Sequence, residues 1–192
     1  MSTPTSNGTS KQPQSLGQFI SGAAKRGPVV GLCTSDAVVS AASDDTSPVD
    51  ATVVTVDGRS MATVDDLMDT FAAAWDFPSY FGRNRDAFDE CMRELEPTTA
   101  QRILLTHITN ASLLLRTDAD QLGWFVDSLQ FYRRHYRDIA DDPATFAVLL
   151  STHPDTVSSV ESRWADVGVP LPEIAVPETA VDDTGDESED VD

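Results

Sequence analysis

Phe77-Pro78-Ser79-Tyr80-Phe81-Gly82-Arg83-Asn84-Arg85-Asp86-Ala87-Phe88-Asp89-Glu90-Cys91-Met92 runs an aromatic turn straight into a short helix. Pro78 disfavours helical backbone at Phe77, so the preceding helix must stop there. Asn84 is a favoured N-cap, and Asp86 falls in the first turn, where the helix dipole stabilises an anion. At about 100° per residue, Phe88, Cys91, Met92 and Leu95 line one apolar stripe, while Asp86, Glu90 and Arg93 lie opposite with Asp89 beside them. The stripe must be buried, and the acids must face solvent or a partner. Like charges at i, i+4 cost roughly 0.2 to 0.5 kcal/mol in an isolated helix, so this face is locally unfavourable unless a cation meets it. Arg93 is the candidate cation within the chain. Tyr80, beside these charges, has the character of an interface anchor. Phe81 reads as a seal on the core, Gly82 as the source of a positive φ before the helix, and Asn84 as its cap.

Upstream, Thr52-Val53-Val54-Thr55-Val56 is β-branched throughout and ends in a turn at Asp57-Gly58, which predicts a buried strand. Thr63 with Asp66 forms a capping-box start, and Val64, Leu67, Met68, Phe71 and Trp75 recur at helical spacing. Downstream, Pro97 ends the acidic helix and Ile103-Leu104-Leu105-Thr106 predicts a second strand. Asp118 is the expected cap of a long helix with a buried stripe of Leu122, Phe125, Val126, Leu129, Tyr132, Tyr136 and Ile139. Thr145-Phe146-Ala147-Val148-Leu149-Leu150 predicts a third strand. Apolar strands separated by helices imply an α/β domain, a small three-stranded parallel sheet covered by helices.

That domain is expected over residues 51–153, with a further helix within 154–172 around Val157, Val160 and Trp164. Residues 1–15 and 173–192 have little to bury and are expected to be disordered tails. Residues 16–50 form an N-terminal extension, predicted as a helix, a short strand and a second helix, followed by a linker over 43–50; it either adds a strand and helix to the sheet or forms a separate interaction segment.

The formal charge is −19, and residues 173–192 supply nine acids and no base. Residues 51–172 hold 19 acids and 10 arginines, so the expected folded part is acidic too. Nucleic acid and anionic membrane would repel such a chain, whereas a basic protein complements it. Two cysteines, Cys33 and Cys91, make no disulfide framework and fit a cytoplasmic setting. No apolar run approaches the roughly 18 residues of a membrane span. His107, His135 and His153 are isolated, without metal-ligand spacing, and no glycine-rich phosphate loop is present, so neither metal nor cofactor is expected. Asp86 and Glu90 on one helix face lack the walled cleft of a catalytic carboxylate pair, so the chain is not expected to be an enzyme.

From Val56-Asp57-Gly58, through Asp66-Leu67, to Pro78-x-Tyr80-Phe81-Gly82-x-Asn84-x-Asp86-Ala87 ending in Cys91, the chain resembles the barstar-like family, with the same order of elements over roughly residues 52–153. The resemblance implies an intracellular inhibitor of a basic, barnase-type ribonuclease, monomeric when free. Its acidic helix and aromatic loop would block the nuclease site, with carboxylates in the places of substrate phosphates. This inhibitor–nuclease pair is the type example of electrostatic steering. The implied partner-binding residues are Tyr80, Gly82, Asn84, Asp86, Asp89 and Glu90, and a role as a toxin's immunity protein fits. Glu90 stands where the family usually has Asp, and Asp89 where an apolar or aromatic residue is common. Arg134 stands where a glutamate contact is expected, and Arg83 and Arg85 sit in the binding loop. These departures suit an interaction module with a non-ribonuclease partner as the alternative.

Overall fold

A computed structural model of the chain describes residues 12–34 and 50–175. Its strands are β1 (Gln14–Ser15), β2 (Val30–Cys33), β3 (Thr52–Asp57), β4 (Ile103–Thr109), β5 (Thr145–Ser151) and β6 (Ile174–Ala175). Its α-helices are α1 (Leu16–Lys25), α2 (Val64–Ala74), α3 (Arg85–Arg93), α4 (Leu122–Arg134) and α5 (Val157–Asp166). β2, β5, β4 and β3 lie side by side in that order, all parallel. The expected three-stranded sheet therefore has four strands. The fourth, β2, comes from the segment read as an extension and pairs Val30 with Val148 and Leu32 with Leu150. The physical reason lies in β5, which is buried from Phe146 through Ser151. Its backbone donors and acceptors must be satisfied along both edges, and β4 serves only one.

Alternation along the central strands builds two cores. Leu104, Ile108, Phe146, Val148 and Leu150 point to one face, covered by α2, α3, α4 and α5. Ile103, Leu105, Ala147 and Leu149 point to the other, where Leu16, Phe19, Ile20 and Ala23 of α1 meet them. β3 is an edge strand in which only Val56 is fully buried, so the β-branched run marks a sheet margin rather than its centre.

The chain ends also contribute. Gln14–Ser15 pairs with Ile174–Ala175, and Ile174 is buried, so these residues are ordered strands where tails were expected. Gly31 makes room for that return: a Cβ there would lie 2.7 Å from Ile174 Cγ1. Leu32 N–H donates to the Pro172 carbonyl, which occupies the outer edge of β2. Arg133 donates to the Gly27 carbonyl and Arg137 to that of Lys25, placing positive charge at the C-terminus of α1. The second helix expected after Cys33, most of the linker, and residues 1–11 and 176–192 lie outside the described residues.

On the crowded face, the Thr63–Asp66 capping box starts α2 as expected. Asp118, read as the cap of α4, instead accepts the Val64 N–H at 2.8 Å and so serves α2. A 3₁₀ turn, Ala119–Gln121, leads into α4 in its place. α4 ends in a π-turn, His135–Ile139, whose wider winding breaks the 3.6-residue phase. Tyr136 stays buried, but Ile139, expected in the same stripe, is 63% exposed. α5 seats Val160 and Trp164 in the core.

His107, fully buried on β4, has Nε2 2.9 Å from Ser151 Oγ. Burial lowers its pKa from 6.5 to about 4. A base with a depressed folded-state pKa stabilises the fold fully above the unfolded value, and that contribution is lost as pH falls from 6.5 through about 4. Urea unfolding between pH ~7 and ~4 is expected to show wild type losing up to roughly 3 kcal/mol more than His107→Gln. Parallel losses in the two proteins would disprove the assignment. Separately, Leu16, Phe19, Ile20, Val29, Val30 and Leu32, at about 1.5 to 3 kcal/mol each, sum to an amount comparable with the roughly 5 to 15 kcal/mol of a whole domain. A fragment of residues 50–175 is therefore expected to lack a cooperative thermal transition by circular dichroism, whereas the full chain shows one.

Candidate functional site

The turn before α3 is shaped by three neighbours. The positive φ falls at Arg83 (47°), not at Gly82 as expected. Gly82 matters for space instead: a Cβ there would lie 3.0 Å from Asn84 Nδ2, which donates to the Gly82 carbonyl at 3.2 Å. Asn84 Oδ1 accepts the Ala87 N–H at 3.0 Å, the expected N-cap. Phe77 and Phe81 pack edge to face at 5.3 Å and close the end of the core, which leaves Tyr80 outside at 79% exposure.

Phe88, Cys91 and Met92 are buried, as their spacing predicts. Phe88 sits among the rings of Phe71, Phe77, Trp124 and Tyr132. The helix stops at Arg93, before Pro97, because Tyr136 takes over its end. The Tyr136 hydroxyl donates to the Met92 carbonyl at 2.7 Å and accepts the Leu95 N–H at 3.0 Å. Burial, with Glu94 and Glu90 nearby, raises the Cys91 thiol pKa and keeps that group neutral.

The acids divide into two kinds. Asp86 and Glu90 are exposed and have no ion-pair partner among the described residues. Arg93 does not neutralise them: its Nε donates to the backbone carbonyl of Asp89 at 3.1 Å, and its guanidinium lies 5.9 Å from the Phe131 ring centre. Asp89 is half-buried and accepts a hydrogen bond from the Tyr132 hydroxyl, so it is tied to α4 instead of standing free with the other two. Burial pushes the Tyr132 phenol far above its ordinary pKa, and the bond to Asp89 reinforces the shift. Tyr132 therefore stays a donor across the ordinary pH range.

Arg83 in the loop and Arg85, which is the first residue of α3 and not a loop residue as expected, are also held. Arg83 pairs with Asp69 at 3.1 Å, and Arg85 lies 4.3 Å from the Trp124 ring centre while donating to Gln121 Oε1 at 2.6 Å. Arg134 is exposed on α4. Tyr132, Tyr136, Trp124 and Gln121 were not singled out for the site by the sequence. A tyrosine in place of phenylalanine on a buried stripe was the available signal, because its hydroxyl needs a partner. Among the described residues, no cluster of three or more potential ligands could hold a metal, and no helix is long and apolar enough to cross a membrane.

The family model for barstar, a barnase inhibitor, matches residues 51–151. The chain belongs to the barstar family. No curated protein matches it. The matched region runs from Ala51, just before β3, to the end of β5, and it contains Tyr80, Gly82, Asn84, Asp86, Asp89 and Glu90. α1, β2, α5 and β6 lie outside the barstar region, although β2 completes its sheet.

Removing the Tyr132 hydroxyl leaves a half-buried carboxylate without its donor. Tyr132→Phe is expected to cost about 1 to 3 kcal/mol in urea unfolding. In combination with Asp89→Ala the cost should be well below the sum of the two single substitutions. Additive costs would show that the two groups do not act as a pair.

Proposed function

We propose that the chain inhibits a basic, barnase-type ribonuclease by setting the outer face of α3 into its active site, acting in the cytoplasm as the immunity partner of a toxin. The observation that carries this reading is the state of Asp86 and Glu90: exposed, one helical turn apart, and without an ion-pair partner among the described residues. Two such carboxylates repel each other in the free protein, and that repulsion is relieved when cationic side chains are placed between them. Family membership supports a nuclease as the source of those cations. Tyr80 adds an exposed aromatic ring beside the carboxylates, a combination typical of interface hot spots. Gly82 and Asn84 act indirectly, by shaping the turn that presents them. Asp89 contributes mainly by fixing α3 against α4.

Titration into a barnase-type ribonuclease assay is expected to give stoichiometric inhibition, with association that slows steeply as salt rises. Asp86→Ala and Glu90→Ala should each weaken the complex by about 2 to 5 kcal/mol, chiefly through faster dissociation. Inhibition that both substitutions leave intact would remove this reading.

A further inference from the structure

Beside the carboxylate stripe of α3 runs a second stripe of opposite charge. Arg85 and Arg93 both lean onto aromatic rings of α4, Arg85 onto Trp124 at 4.3 Å and Arg93 onto Phe131 at 5.9 Å. Trp124 and Phe131 are seven residues apart and so share one face of α4. The Asp89–Tyr132 hydrogen bond also joins the two helices, from a residue between the two arginines in the chain. Arg134, exposed at the end of α4, adds a positive charge from the neighbouring helix.

What holds these side chains decides how they act. Each makes a hydrogen bond to an uncharged oxygen, Gln121 Oε1 for Arg85 and the Asp89 carbonyl for Arg93, and neither has an ion-pair partner among the described residues. Both keep a formal positive charge that no direct ion pair takes up. An unconstrained arginine can swing away from a cationic partner, but these two would forfeit their ring contacts and hydrogen bonds by doing so. A nuclease surface that is basic everywhere would be attracted to Asp86 and Glu90 and repelled beside them. Carboxylates bordering the nuclease's cationic site would turn that repulsion into a second attraction, and such paired signs set specificity.

We propose that Arg85 and Arg93 are specificity determinants, selecting a protein partner whose cationic site is bordered by carboxylates on the side that faces α4. This rests on the inhibitor reading and names the partner's surface chemistry.

The test uses the full chain and a uniformly basic barnase-type ribonuclease as probe, with binding kinetics followed across ionic strength. The Arg85→Gln/Arg93→Gln pair is expected to bind on the order of tenfold tighter than wild type, mostly through faster association at low salt. The Arg85→Lys/Arg93→Lys pair, which keeps both charges but loosens their hold on α4, should fall between wild type and the glutamine pair. Binding that Asp86→Ala abolishes but the glutamine pair leaves unchanged or weakens overturns this inference alone. Failure of wild type and both pairs to bind overturns it together with the nuclease reading.

Discussion

Closing both faces and both edges of β5 is the constraint on which the rest of the structure depends. A strand buried from Phe146 through Ser151 cannot be an edge, and it cannot leave either face open to water. β4 supplies one neighbour and β2 the other, and the two ends of the described chain meet outside β2 to protect it in turn. Among the described residues α1 is the helix on one face, while the opposite face receives α2, α3, α4 and α5. The family region between residues 51 and 151 is thus completed, in this chain, by segments on both sides of it.

The crowding of four helices on one face determines what α3 can present. Phe88, Cys91 and Met92 are taken by the core, and Asp89 is reached by Tyr132. Arg85 and Arg93 are drawn onto rings of the neighbouring helix. Asp86 and Glu90 are the two acids of α3 left exposed. The charge pattern on this surface therefore follows from packing: aromatic residues on α4 sort the polar residues of α3 into those held and those offered.

Much of this was legible in the residues. The N-cap at Asn84, the capping box at Thr63, the buried stripe of α3 and the apolar central strands depend on interactions within a few positions, which spacing and propensity record directly. What was hidden depended on distant partners. Val30–Cys33 could be read as a short strand, but whether it joined the sheet or a separate interaction segment was open until β5 showed the edge it fills. Ile174 looks like one aliphatic residue in an acidic tail until Gly31 gives it a seat. Asp118 had a plausible local use as the cap of α4, yet an amide 54 positions away claimed it. Ile139 fitted the periodicity of α4, but the π-turn shifted the phase just before it. At the site, the sequence located Tyr80, Asp86 and Glu90 on the outside correctly. It could not separate Asp89 from them, because that separation is made by a hydroxyl 43 residues away.

α3 is also a helix that its own sequence would scarcely hold. It spans nine residues, shorter than the roughly 12 to 15 at which an isolated helix becomes even marginal in water, and its acids repel one another. Its stability must come from outside: the Asn84 cap at one end, the Tyr136 hydroxyl at the other, Phe88 in a cage of rings, and Tyr132 on Asp89. Each of these contacts is made from the inner side or the ends, and none neutralises Asp86 or Glu90. A helix assembled for stability alone could have placed Arg93 against Glu90, three residues before it. Instead the guanidinium lies over Phe131, and the acidic pair has no ion-pair partner among the described residues. A backbone held at its ends and inner side thus carries two exposed carboxylates on its outer face, the feature on which the inhibitor proposal rests.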